Sequence, residues 1–203
     1  MKFLITGFPH SGTTIIRELI LKSKKTEGPD FETKVFKDYK ADNQVIKWPF
    51  FEKEFINNQY YKNANKIFLI RNPKFSFSSI KRRNKMNCGR HRFDFWAYTA
   101  QRFIDLKNTH MWHCYRYEDI FENNTTIITF LESLKLQYDI NPLLQNFDMI
   151  SKPLETDHVN FRNWQIKQKI ENKNFAHKLT LTKQEEHYLE NLEQYKILYG
   201  EDK

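Results

Sequence analysis

The stretch from Lys2 to Leu21 reads KFLITGFPHSGTTIIRELIL, and it decides the fold. Its first part, Lys2 to Gly7, is an apolar run that predicts a strand, whereas Thr13 to Leu21 has the apolar spacing of a helix. Gly7 and Gly12 bracket the loop between them, although the whole chain holds only 5 glycines. The pattern therefore predicts a strand, a glycine-bounded loop and a helix in succession.

Residues 7–14, Gly-Phe-Pro-His-Ser-Gly-Thr-Thr, have the position and composition of an anion-binding loop. Between a strand and a helix, consecutive backbone N–H groups and the helix dipole converge on a negative charge. The spacing follows the Walker pattern G-x-x-x-x-G-K-[ST], except that Thr13 stands at the lysine position. ATPases and kinases need that lysine on the nucleotide phosphates. We name residues 7–14 the phosphate loop, and the alternative is an ordinary strand-helix turn.

Strand and helix patterns alternate along the rest of the chain. Strands are predicted at Gln44–Trp48, Lys66–Arg71 and His110–Tyr117. Helices are predicted from Pro73 to about Arg83, over Phe93–Leu106 and Thr125–Leu136, and from a capping box at Thr182–Glu185 to about Leu198. The alternation predicts an α/β fold with three layers, α/β/α, around a central parallel sheet of the P-loop nucleotide-binding type. We expect one domain spanning residues 1–203.

Composition excludes several classes of protein. The chain has 203 residues and is 39% hydrophobic, which argues against intrinsic disorder. No run approaches the roughly eighteen apolar residues of a membrane helix. Cys88 and Cys114 are the 2 cysteines, too few for a disulfide scaffold or a four-cysteine zinc site. We expect a soluble, cytoplasmic protein without a membrane partner.

The charge balance favours an anionic partner. An excess of 33 Lys and Arg over 25 Asp and Glu gives a net charge of +8. Nucleotides, polyanionic glycans, nucleic acid and acidic lipid all fit such a charge. The densest basic cluster, Lys81 to Arg83, is short and equally fits a solvated helix end, so we expect no nucleic-acid partner.

Two segments resemble the sulfotransferases that use 3′-phosphoadenosine 5′-phosphosulfate (PAPS). His10-Ser-Gly-Thr-Thr14 is similar to the family's first loop, [KR]-[ST]-G-T-T. Arg71-Asn-Pro-Lys-Phe-Ser-Phe-Ser-Ser79 is similar to the R-[DN]-P-x-x-x-x-x-S segment that binds the 3′-phosphate of the nucleotide. Arg71 leaves the sheet and Ser79 lies two turns along the next helix, so both can converge on one phosphate. The alternative for Arg71 is an ion pair at the strand end.

Two weaker matches extend the resemblance. Arg116-Tyr-Glu-Asp119 is similar to the R-Y-E-D-L segment of bacterial-type members, which is mainly architectural. Phe161-Arg162-Asn-Trp164 is similar to a shortened form of the C-terminal loop that returns an arginine to the 3′-phosphate. Trp164 either stacks on adenine or belongs to the core.

The resemblance implies transfer of a sulfuryl group from PAPS to a hydroxyl or amine of a small molecule or glycan, with release of adenosine 3′,5′-bisphosphate (PAP). It implies no metal ion. The residues that it assigns to nucleotide binding are Gly7, Pro9, His10, Ser11, Gly12, Thr13, Thr14, Arg71, Ser79 and Arg162.

His10 is the largest departure from the family pattern, because it replaces the Lys or Arg that neutralises the leaving group. A histidine titrates near about 6.5, and a nearby phosphate favours its charged form. In its charged form His10 serves as a general acid. The alternative is that the replacement has left an enzyme of reduced activity, or a protein that binds the nucleotide without catalysis.

The sequence indicates less clearly which residue is the general base, the group that removes the proton of the hydroxyl or amine substrate. Lys47, at the end of the second predicted strand, either stabilises the transferring group or acts as a base with a depressed pKa. Further candidates are Asp38, Glu52 and His91, and the alternative for each of them is a surface residue without a role in catalysis.

Two other functions remain open at this point. The first is a P-loop kinase, which needs a lysine where Thr13 stands and an aspartate at a strand end to bind Mg²⁺. Asp119 is a poor candidate for that aspartate, because it follows the charged stretch Arg116-Tyr-Glu. The second is a protein that binds a nucleotide or polyanion without catalysing a reaction, and His10 and the net charge support this alternative. The sequence does not identify the acceptor, because variable loops contact it.

Overall fold

The computed structural model of this chain describes residues 1–29, 31–37, 40–82, 90–138 and 179–200. Within them, five strands form one parallel sheet: β1 (Lys2–Gly7), β2 (Thr26–Glu27), β3 (Asn43–Lys47), β4 (Asn65–Ile70) and β5 (Trp112–Arg116). Their order across the sheet is β2-β3-β1-β4-β5. Because all strands run the same way, their carboxyl ends meet at one edge.

Helices connect and follow the strands. They are α1 (Thr13–Leu21), α2 (Glu54–Asn57), a 3₁₀ turn (Gln59–Tyr61), α3 (Pro73–Lys81), α4 (Phe93–Leu106), α5 (Tyr117–Ile120), α6 (Asn124–Ser133), α7 (Lys183–Asn191) and α8 (Glu193–Tyr199). Local sequence sets several starts. Asn72 caps α3 ahead of Pro73, Asn123 forms a capping box at α6, and Thr182 forms the predicted one at α7.

Side chains alternate between the two faces of the sheet, and each face carries a helical layer. Phe3 and Ile5 of β1 pack in one buried cluster with residues of α1, α5 and α6. Leu4, between them in sequence, packs in the other cluster with residues of α3, α4, α7 and α8. This arrangement confirms the predicted three-layer α/β fold with a central parallel sheet.

The structure corrects several element predictions. The last predicted helix is two helices, because Leu192 between α7 and α8 has extended backbone angles (φ −65°, ψ 133°). The strand expected at His110–Tyr117 covers only Trp112–Arg116, and Tyr117 begins α5 instead. In the part of the chain described, no helix has both the length and the apolar character needed to cross a membrane.

Candidate active site

The candidate active site lies at the carboxyl edge of the sheet. The phosphate loop joins β1 to α1, Lys47 is the last residue of β3, and Arg71 follows the last residue of β4. Ser79 lies on α3, the helix that begins just after Arg71. Three neighbouring strands, β3, β1 and β4, therefore bring the predicted site residues of the described chain to one edge.

The two glycines of the phosphate loop are required by close contacts. Gly7 has φ +154°, and a Cβ there would overlap the carbonyl oxygen of Leu69 on β4. Gly12 has φ +89°, a left-handed conformation, and a Cβ would lie 2.7 Å from the ring of Tyr117. The loop therefore packs so tightly between β4 and α5 that a side chain at either glycine would displace it.

Ser11 holds the loop against the sheet. Its side chain is buried, and its hydroxyl lies 2.6 Å from the carbonyl oxygen of Phe8 and 3.1 Å from that of Leu69. Its backbone N–H also donates to the carbonyl of Phe8, at 3.2 Å. Pro9 is buried next to it. Within the predicted nucleotide-binding set, Ser11 thus shapes the loop through backbone contacts.

His10 joins the two segments on which the sequence resemblance rests. Its Nδ1 lies 2.9 Å from the hydroxyl of Ser79, 69 positions away in the chain. The backbone of His10 has φ 66°, a left-handed conformation that few residues adopt. The side chain is partly buried, and its ring meets the ring of His91 edge-on, with centroids 6.0 Å apart. The phosphate loop and α3 are thus connected directly by two predicted site residues.

Arg71 is a buried cation beside the phosphate loop. The residue is 5% exposed, and its guanidinium lies 4.4 Å from the centroid of the Tyr117 ring. One guanidinium nitrogen donates to the carbonyl of His10 at 3.4 Å. Burial lowers the pKa of Arg71, although Glu118 among its neighbours favours the charged form. The arrangement holds a positive charge against the loop.

Lys47 connects the end of β3 to the start of α1. The residue is 5% exposed, and its ammonium donates to the hydroxyl of Thr14 at 2.9 Å. The same ammonium forms an ion pair with Glu32 at 2.8 Å. Since a neighbouring carboxylate stabilises the charged form of lysine, these contacts suit a cation better than a base.

Glu52 is a poor candidate for the base. Its carboxylate accepts hydrogen bonds from the indole of Trp48 and from Arg90, both at 2.8 Å, and pairs with Lys34 at 3.4 Å. Burial by itself raises the pKa of Glu52, but the bonds from Arg90 and Trp48 outweigh it and lower the pKa overall. A carboxylate so stabilised has little tendency to accept a proton.

His91 is the other candidate base among the described residues, and it lies beside His10 of the phosphate loop. Its ring is partly buried and lies between His10 and Phe50, at centroid distances of 6.0 and 5.7 Å. Asp38, Arg162 and Trp164 lie outside the described residues.

Sequence reasoning gave Tyr117 and Glu118 only a general architectural role and missed that they and Trp96 position Arg71. Tyr117 contacts the guanidinium, and Trp96 donates its indole N–H to the carbonyl of Arg71 at 3.4 Å. The carboxylate of Glu118 accepts the backbone N–H of Asn72 at 3.0 Å. Tyr117 and Glu118 directly follow β5, which lies beside β4 in the sheet. Because parallel strands end at the same edge, their position just after a strand was the sequence signal that they could lie near Arg71.

A P-loop kinase needs a strand-end aspartate for Mg²⁺. The described residues contain no group of three or more His, Cys, Asp or Glu side chains arranged to hold a metal ion. Asp119 is engaged by Arg116 through three contacts between 2.7 and 3.0 Å. Its carboxylate therefore stabilises the turn after β5.

Comparison of this fold with solved protein structures finds similar structures. No protein-family model matches the sequence, and no curated protein matches it. The chain is similar to the mouse sulfotransferase SULT7A1 complexed with PAP, with a TM-score of 0.63 and 12% identity over 96% of this chain and 84% of that one. It is also similar to the sulfotransferase domain from the curacin biosynthetic pathway, with a TM-score of 0.52 and 14% identity over 94% and 90%. Both likenesses confirm the predicted fold.

Proposed function

We propose that this chain is a sulfotransferase that moves the sulfuryl group of PAPS to a hydroxyl or amine of a small molecule or glycan and releases PAP. The observation that carries the proposal is the contact of His10 with Ser79, together with the contact of Arg71 with the carbonyl of His10. These contacts join the two sulfotransferase-like segments. The mouse sulfotransferase with the similar fold was solved with PAP, which supports the same nucleotide here. Residues 1–203 would form one such domain.

The nucleotide would bind through its two phosphate ends. The backbone N–H groups at the start of α1, with Thr13 and Thr14, suit the 5′-phosphosulfate, because a helix N-terminus stabilises negative charge. Arg71 and Ser79 would hold the 3′-phosphate, and Arg162 would join them as the resemblance implies. A guanidinium offers several N–H donors in one plane, which matches the oxygens of a phosphate.

The chain's own residues would assist one displacement at sulfur. The acceptor oxygen or nitrogen forms a bond to sulfur while the bond from sulfur to the bridging oxygen breaks. His10 would donate a proton from Nε2 to that bridging oxygen, and Lys47 would neutralise charge on the transferring group. Like phosphoryl transfer, the reaction needs mainly positioning and charge stabilisation.

His91 would accept the proton that leaves the acceptor. Its ring lies 6.0 Å from that of His10, so a base and an acid would stand on the same side of the phosphate loop. The contacts of Glu52 with Arg90 and Trp48 make that carboxylate a weaker candidate for this role.

Sulfur-labelled PAPS tests the proposal directly. The protein is incubated with a panel of hydroxyl and amine acceptors in the presence of a metal chelator, and both labelled product and PAP are measured. We expect PAP release that Arg71→Ala reduces and Arg102→Ala does not, because Arg102 pairs on the surface with Asp105. Binding of PAPS without any turnover would instead support the alternative, a nucleotide-binding protein. Hydrolysis of ATP that depends on Mg²⁺ would overturn both.

A further inference from the structure

A groove lies at the edge of the sheet opposite the candidate active site, where β4 and β5 begin. Its volume is about 330 Å³, at the lower end of small-molecule sites. Its lining includes Lys62, Lys66, His110 and Trp112. Lys66 stands five residues before Arg71, which follows the end of β4, so about 16 Å separates these two residues along the strand direction. The groove is therefore distinct from the candidate active site.

Lys66 is the unusual residue of this groove. It is 4% exposed, its ammonium donates to the carbonyl of Ala64 at 3.2 Å, and it lies 5.7 Å from the centroid of the Trp112 ring. It forms no ion pair with any carboxylate of the described residues. Among the other buried cations, Arg17 and Lys47 pair with the carboxylates of Glu18 and Glu32.

A buried ammonium without a negative partner destabilises a protein. Burial accordingly lowers the pKa of Lys66. Around it, the described groove lining contains Lys62, His110 and the amides of Asn57 and Gln59, but no carboxylate. All of these groups can donate hydrogen bonds, and the lysines carry positive charge. The groove thus provides a bound anion with both positive charge and hydrogen-bond donors.

We propose that this groove binds a small anion that carries a phosphate, sulfate or carboxylate group. Lys66 is the buried counter-charge of that group, and Lys62 and His110 contact it from the rim. Trp112, which is 8% exposed, borders the ligand beside Lys66. The volume fits a small molecule, and the inference stands whether or not the chain transfers sulfate.

Anion titrations of the full chain in the Arg71→Ala background, which weakens the active-site phosphate contact, test this proposal. Inorganic phosphate, sulfate and acetate are each added at constant ionic strength set with chloride. The NMR signal of the Trp112 indole and the unfolding temperature report binding. We expect at least one of the three to shift both, and its identity assigns the ligand class. Phosphate or sulfate indicates a tetrahedral oxyanion, and acetate indicates a carboxylate.

Lys66→Met should weaken that binding by about 10-fold or more, as expected for loss of a charged hydrogen bond. It should also raise the unfolding temperature without anion, because it removes a buried charge. Lys183→Met, at an exposed position of α7, is the matched control and should change neither. If Lys66→Met does not fold, Lys62→Gln combined with His110→Gln takes its place and should weaken binding. No response to any anion beyond that to chloride, or equal responses in native and variant proteins, would overturn the proposal.

Discussion

Replacing His10 with asparagine removes the proposed proton donor while disturbing the phosphate loop little. The backbone at His10 has φ 66°, and asparagine is one of the residues that adopt this left-handed conformation readily. Its amide can also keep a hydrogen bond to Ser79, which His10 contacts at 2.9 Å. The substitution therefore tests the chemistry of the imidazole more than the shape of the loop.

Turnover should fall by about 10² to 10³, which corresponds to about 2.7–4 kcal/mol for one preorganised donor to the transition state. Affinity for PAP should fall much less, because Arg71 and the backbone N–H groups of the loop remain. The assay is release of PAP from PAPS under single-turnover conditions, with nucleotide affinity measured separately by calorimetry.

His10→Lys is the matched variant, because it restores the permanent cation of the family's first loop. Lys25 and Lys135 of this chain already adopt left-handed backbone, with φ 52° and 55°, so lysine is compatible with position 10. The charged histidine is the active form, so native turnover should decline as pH rises through the titration of His10. The lysine form should keep its rate toward the ordinary lysine value of about 10.4. Equal turnover of His10→Asn and the native protein would refute the role of His10.

Four further substitutions separate nucleotide binding, loop geometry and base catalysis. Arg71→Lys keeps the charge but loses the planar guanidinium, so PAP affinity should drop by about 10-fold or more, the effect of about 1.5 kcal/mol, and calorimetry measures it. Gly12→Ala should destabilise the fold by at least about 1–2 kcal/mol, because alanine is strained at φ +89°, and denaturant unfolding measures this loss. His91→Asn should slow turnover, whereas Glu52→Gln should preserve it. The pKa of Glu52 is lowered in the fold, so its stabilising effect is present above its unfolded pKa and is lost as pH falls through the folded one. The free energy of unfolding of Glu52→Gln should therefore fall less than that of the native protein as pH is lowered. The same pH dependence in both proteins would contradict the stabilising contacts of Glu52.

Local patterns in the sequence predicted much of the fold. The bounds of β1, α1 and α4 agree with the predictions, because each has a clear apolar pattern, and Gly7 and Gly12 mark the end of β1 and the start of α1. By contrast, β2 is only 2 residues long and has no period to recognise. The break at Leu192 was missed because the helical spacing continues through it.

The candidate site was predictable where it depends on one short segment. The phosphate loop and the Arg71-to-Ser79 segment were visible as motifs, and the convergence of these segments follows from a parallel sheet. The contact of Tyr117 with Arg71 and the ion pair of Glu32 with Lys47 join segments that are distant in the chain. Such partners depend on how loops pack, which no local spacing encodes.

The central claim is that the site recognises a nucleotide with a 3′-phosphate, and calorimetric comparison of PAP with AMP tests it most directly. The titrations are made with a metal chelator present, and ATP with Mg²⁺ serves as the comparison ligand. We expect PAP to bind more tightly than AMP by about 10- to 150-fold, the effect of about 1.5–3 kcal/mol from one charged contact, without any metal. Equal affinities for PAP and AMP, or tight binding of ATP that depends on Mg²⁺, would contradict the account.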